Sequence, residues 1–135
     1  MFGKKKDKKK SVVIKFVVLE SGIPNFTPDT ITTVTIDETD NIIKFDGYGN
    51  NSASLTLDRL IRIESGSKPK TAPGVTSKRL EMLETLKIVY TSNEGDKEIN
   101  ICETNNYGRN QIELLKVTLN RIIYSRTDAP AHINL

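Results

Sequence analysis

Residues 86–101 read LKIVYTSNEGDKEINI, and this stretch decides the fold. Leu86, Ile88 and Tyr90 recur at every second position, as do Ile99 and Ile101, and a period of two places side chains on one face of a strand. Between the two runs lie Asn93, Glu94, Gly95 and Asp96, a cluster that favours a reversal of the chain. The stretch therefore predicts an antiparallel hairpin with one apolar face, which must be buried against other elements.

Upstream, the same alternation repeats. Val12–Leu19 predicts a first strand with Val12, Ile14, Phe16 and Val18 on one face and Lys15 on the other. Gly22, Pro24 and Pro28 break both helix and ladder and predict a long turn before a second strand, Thr30–Ile36. Asp37–Asn41 is a polar turn into a third strand, Ile42–Asp46, and Gly47–Asn51 turn again. Ala53, Leu55 and Leu57 predict a fourth strand, and Ile61 and Ile63 a fifth. Ser65–Ser77 has Gly, Pro and Lys without apolar period and predicts a long loop, while Lys78–Glu84 fits either a helical turn or a strand.

Downstream, the pattern changes to the helical period. Asn110 can cap the first turn and Glu113 can reach back to it. Ile112, Leu115, Leu119, Ile122 and Ile123 then fall within an arc of roughly 100°, the width of a core-facing stripe. The expectation is a mainly β domain over residues 11–125, about seven strands and one C-terminal helix, preceded by a polybasic leader (1–10) and followed by a flexible tail (126–135).

Charge narrows the function. The chain of 135 residues has net charge +3, but residues 1–10 hold six of its 20 basic and one of its 17 acidic residues. The other 14 basic and 16 acidic residues give a body of −2. A nucleic-acid surface normally carries a basic stripe on the folded body, so this balance argues against one. Cys102 is the only cysteine, which excludes an internal disulfide and a cysteine-rich metal site and favours a reducing, cytoplasmic setting. The apolar run from Val12 to Leu19 contains Lys15 and ends at Glu20, unlike a secretory signal, and no stretch approaches the roughly 20 apolar residues of a membrane span.

The turn Gly22-Ile23-Pro24, the segment Leu57-Asp58-Arg59-Leu60-Ile61, the hairpin 86–101 and the closing helix together resemble small bacterial proteins with a pleckstrin-homology-type domain. The resemblance covers about residues 12–124 and rests on pattern. It implies a barrel of two packed antiparallel sheets with the helix plugging one end. That fold serves lipid, peptide and protein recognition alike, so it implies no single function. Its lipid-binding members hold inositol phosphates with basic residues on the first two strands and their connection. Here the connection from Glu20 to Asp29 has no basic residue, which argues against specific phosphoinositide binding.

Several candidate sites follow. Lys4, Lys5, Lys6, Lys8, Lys9 and Lys10 could contact an anionic membrane, worth at most about 5 kcal/mol, with about 2 kcal/mol more from burying Phe2. On the helix, Leu114, Val117, Arg121 and Tyr124 recur opposite the core stripe and form a candidate surface for a protein or peptide partner, or for a second copy. Gly47-Tyr48-Gly49 reads as a hairpin turn rather than a phosphate loop, because a strand and not a helix follows it. Around Asp37, Glu38 and Asp40, Thr39 occupies the second liganding position of a calcium loop and no glycine stands where that loop needs one, which favours a solvated turn. Neither a metal nor a cofactor is expected, and catalysis by nucleophile and base lacks its parts: His132, the only histidine, lies in the tail. The expected function is a non-enzymatic interaction module. Two alternatives are a nucleic-acid binder using the leader with Lys68, Lys70, Lys78 and Arg79, and an enzyme with an unrecognised carboxylate site.

Overall fold

The computed structural model describes residues 11–69, 82–104 and 109–126. Seven antiparallel strands precede one helix: β1 (Ser11–Ser21), β2 (Thr30–Asp37), β3 (Ile42–Gly47), β4 (Ser52–Thr56), β5 (Leu60–Pro69), β6 (Met82–Ser92), β7 (Gly95–Glu103) and α1 (Arg109–Arg126). All seven strands pair in a single sheet of order β4-β3-β2-β1-β7-β6-β5. The mainly β class with a C-terminal helix is as the alternation predicts. The expected pair of sheets closed into a barrel is not formed: β4 and β5 remain the two unpaired edges. One face of the sheet nevertheless wraps a single core, in which Ile36, Ile43 and Phe45 from one half meet Leu86, Ile88 and Ile101 from the other. The edges approach because a single 3-10 turn, Leu57–Arg59, joins β4 to β5, pinned by the Leu57 N–H donating to the Asn41 carbonyl (2.9 Å).

β1 is the hinge between the halves. Its first residues pair only with β2, whereas Val17–Leu19 pair with β7 as well and Ser21 with β7 alone. Between Ile14 and Val17 the ladder slips, and Phe16 takes φ 62°. An extra residue in one strand reverses its face. Val12 and Ile14 therefore point inward before the bulge, and Val17 and Leu19 after it, all of the last three being almost fully buried. This corrects the expected face of Val12, Ile14, Phe16 and Val18: Phe16 is 46% exposed. A second slip, between Leu60 and Arg62, buries Leu60 in place of Ile61. The expected fourth strand also ends earlier, and Leu57 enters the core from the 3-10 turn.

The loop expected over Ser65–Ser77 is strand up to Pro69, and the ambiguous segment is strand from Met82; residues 70–81 lie outside the described part. Lys68 on β5 forms an ion pair with Glu20 on β1, across β6 and β7. Four strands spaced about 4.8 Å apart would separate the backbones by about 14 Å in a flat sheet. The end of the β5–β6 hairpin thus curls over the outer face.

The helix packs as predicted. Ile112, Leu115, Leu119, Ile122 and Ile123 are all in the core. It begins at Arg109, so Asn110 lies inside the first turn rather than at the cap, and its side chain is outside the described residues. It also runs to Arg126, one residue past the expected domain end. Two polar contacts fix its orientation. Gln111 Oε1 accepts the Lys15 N–H (3.3 Å), and Arg121 donates to both carboxylate oxygens of Glu38 in the β2–β3 turn (3.3 and 2.5 Å). The helix thereby occupies the end of the sheet where β1 begins. Among the described residues, no helix is long and apolar enough to cross a membrane.

Candidate functional site

Gly22 leaves β1 at the end opposite the helix, with φ 112°. A Cβ there would lie 2.3 Å from the Glu98 carbonyl oxygen, so only glycine lets the β1–β2 connection lie against β7. Ile23 and Pro24 then turn across the open end of the core, and the Phe26 N–H donates to the Ile23 carbonyl (3.1 Å). Because β4 does not pair with the other half, a mouth remains between them. It is a groove of about 280 Å³ whose lining includes the buried core residues Ile23, Phe45, Leu55 and Ile99 as an apolar floor. Ala53 and Tyr90 form its walls, and Arg59 and Lys97 its charged rim.

The register explains this placement. Lys97 is two residues from Ile99 and shares its face, and Tyr90 stands opposite both Lys97 and Leu60, the neighbour of Arg59. Lys97 Nζ lies 2.8 Å from Glu94 Oε1 at the hairpin tip. That hydrogen bond raises the lysine pKa and holds the Glu94 carboxyl below the usual range. The groove can seat an apolar side chain and present cations to an anion attached to it. Sequence reasoning missed it: Arg59 and Lys97 are 38 positions apart, and each stands beside acidic neighbours, Asp58 and Asp96 with Glu98, that mask it as a basic signal.

A second groove, also about 280 Å³, lies under the curled β5–β6 hairpin. Glu20, Glu64, Lys68, Lys87, Thr85 and Asn100 line it. Its charges neutralise one another, since Lys68 pairs with Glu20 and Lys87 lies within 3.8 Å of Glu64. The hydrogen bond to Glu20 raises the Lys68 pKa. Lys68, one of the residues named for nucleic-acid contact, is thus engaged with a carboxylate; Lys70, Lys78 and Arg79 lie outside the described residues.

The other predicted residues divide as follows. Leu114 (43% exposed), Val117 (56%) and Tyr124 (75%) do share the outer side of α1. Arg121, expected among them as a contact residue, is instead bound to Glu38. Phe2, Lys4, Lys5, Lys6, Lys8, Lys9, Lys10 and His132 lie outside the described residues. In the acidic turn, Asp37 accepts the Asp40 N–H (3.1 Å) and Glu38 takes Arg121, so two of the three carboxylates serve the fold. Gly47 N–H donates to the Asn51 carbonyl (2.7 Å) and Tyr48 N–H to the Ile31 carbonyl (2.9 Å), as in a hairpin turn.

Among the described residues, groups with reactive potential are few. Burial pushes the Cys102 thiol up to about 11, which keeps it protonated and poorly nucleophilic. Glu103 is 4% exposed and its Oε2 accepts the Glu84 N–H (2.9 Å), while Oε1 of each residue is buried with no hydrogen-bond partner among the described residues. Among the described residues, no three of His, Cys, Asp and Glu converge in a way that could hold a metal ion. Compared with known proteins, the chain matches no family model and no curated sequence.

Proposed function

We propose that this chain is a non-enzymatic interaction module that takes an apolar side chain of a peptide or protein partner into the groove between Ile23, Phe45, Leu55 and Ile99. The observation that carries the reading is the mouth itself: four core residues line a solvent-open groove at the end the helix leaves uncovered. Its volume has room for one or two side chains, just under the range of small-molecule sites. A helix standing at one end of a curled antiparallel sheet supports the pleckstrin-homology-type resemblance, and that fold carries recognition of many kinds. The same proposal has the module working in the cytoplasm, with the lysine-rich leader adding weak attraction to anionic membranes.

Peptide-display selection on the whole chain tests this. Enriched peptides should share an apolar position and lose binding to Ala53→Trp, which fills the groove, while the variant keeps its melting transition. No enrichment, or equal binding to the variant, refutes the proposal. Loss of binding in Leu114→Glu and Val117→Glu, with Ala53→Trp unaffected, moves the surface to the helix. Repeating capture from cells without residues 1–10 separates the leader's part from the body's.

A further inference from the structure

The mouth groove sets cations directly beside an apolar floor, and we infer that its occupant is acidic: an extended peptide segment with one apolar residue in the groove and carboxylates two positions before and after it. The inference rests on the groove being the binding surface. Among the described residues, the charged side chains lining it are Arg59 and Lys97, both positive, although the body as a whole is slightly acidic. Lys97 on β7 and the Arg59–Leu60 step entering β5 are separated by the width of β6, about 10 Å for two strand spacings. In an extended chain, residues i and i±2 share a face at intervals of about 7 Å. A residue seated on Phe45 and Leu55 therefore brings its i±2 neighbours to the rim rather than the floor.

The two cations are differently prepared. Among the described residues Arg59 has no carboxylate within ion-pair distance. Lys97 already holds one, that of Glu94, whose N–H donates to Ser92 Oγ (3.1 Å) at the hairpin tip. Glu94 stands where a ligand carboxylate would bind, so it marks Lys97 as an acceptor of anions and also competes for it. The pair is exposed and three residues apart, the kind that contributes little and is readily exchanged. Removing the Glu94 charge should therefore strengthen binding, an effect a merely structural ion pair would not produce.

Fluorescence anisotropy with three labelled pentapeptides tests this on the full chain: glutamate and serine alternating about a central leucine, and the same peptide with glutamine or with lysine in place of glutamate. The acidic peptide should bind best and the lysine peptide least. Arg59→Glu and Lys97→Glu should each weaken the acidic peptide by roughly tenfold, and Glu94→Gln should tighten it severalfold. Both rim substitutions are on exposed positions, and a thermal melt confirms that each variant is folded. If acidic and glutamine peptides bind equally and Ala53→Trp abolishes both, the groove reading stands and acidic selectivity is wrong. If none of the peptides binds, both fall. If soluble inositol trisphosphate displaces the acidic peptide at lower concentration than the peptide itself, the cations serve phosphate and the inference is overturned.

Discussion

Replacing Val17 and Phe16 each by asparagine tests the β1 bulge, on which the assignment of inward faces depends. Val17 has no exposed surface. Val17→Asn forfeits about 2 kcal/mol of apolar burial and buries an amide without a partner, a further cost of about 1–3 kcal/mol. The expected loss is about 3–5 kcal/mol. Phe16 is half exposed, so Phe16→Asn forfeits only about 1 kcal/mol. Asparagine tolerates the left-handed φ of 62° better than phenylalanine, returning on the order of 1 kcal/mol. The two effects nearly cancel. In urea, with a slope of about 2 kcal/mol/M, Val17→Asn should lower the unfolding midpoint by about 1.5–2.5 M and Phe16→Asn by less than about 0.5 M. A regular strand with Val12, Ile14, Phe16 and Val18 facing inward would reverse the order. Equal or reversed midpoints would refute the bulge and the face assignment together.

Four further outcomes follow from particular contacts. Gly22→Ala, which sets a methyl group into the Glu98 carbonyl at a positive φ, should destabilise by about 3 kcal/mol or more, read by thermal melting; a shift under about 1 kcal/mol would contradict the close approach. Leu119→Ala in the core stripe should cost about 2–5 kcal/mol and Leu114→Glu under about 0.5 kcal/mol, and comparable losses would mean the helix is docked on another face. The native Cys102 thiol should resist a thiol reagent at pH 8 and react only on unfolding, since a pKa of about 11 leaves thiolate on the order of one part in a thousand. The Arg62 hydrogen bond, and then the Arg62 and Lys87 charges, hold the Glu64 carboxyl below the usual range. Its contribution to stability is thus present above the ordinary glutamate pKa and lost as pH falls through the lowered value. Carboxyl NMR should show the titration returning toward the ordinary range in Arg62→Ala and at high salt, and no movement would leave the ion pair without effect.

Element types were legible because they depend on local period. Ile99 and Ile101 alternate and are both buried; Ile112, Leu115 and Leu119 follow a helical stripe and are fully buried. Where apolar residues run together, period gives two answers. In Val17-Val18-Leu19 either alternate set suits a core, and the Phe16 bulge, driven by the need to pair with β2 and β7 at once, selects Val17 and Leu19. Ile61 was the expected inward residue of the fifth strand, and pairing with Tyr90 placed Leu60 in the core instead. The acidic body, the one cysteine and the amphipathic helix could be read directly, whereas the partner of Arg121 could not, because Glu38 is 83 positions away.

The amino-acid order alone determined a chain of antiparallel strands ending in an amphipathic helix, since propensity and hydrophobic period act between residues a few positions apart. Only the tertiary structure decided that the strands form one curled sheet, that its β4 and β5 edges stay unpaired, and that Arg59 and Lys97 flank one apolar floor. Those outcomes depend on register between distant strands, on one glycine approaching a carbonyl and on where each strand slips. They are set by packing the whole chain at once.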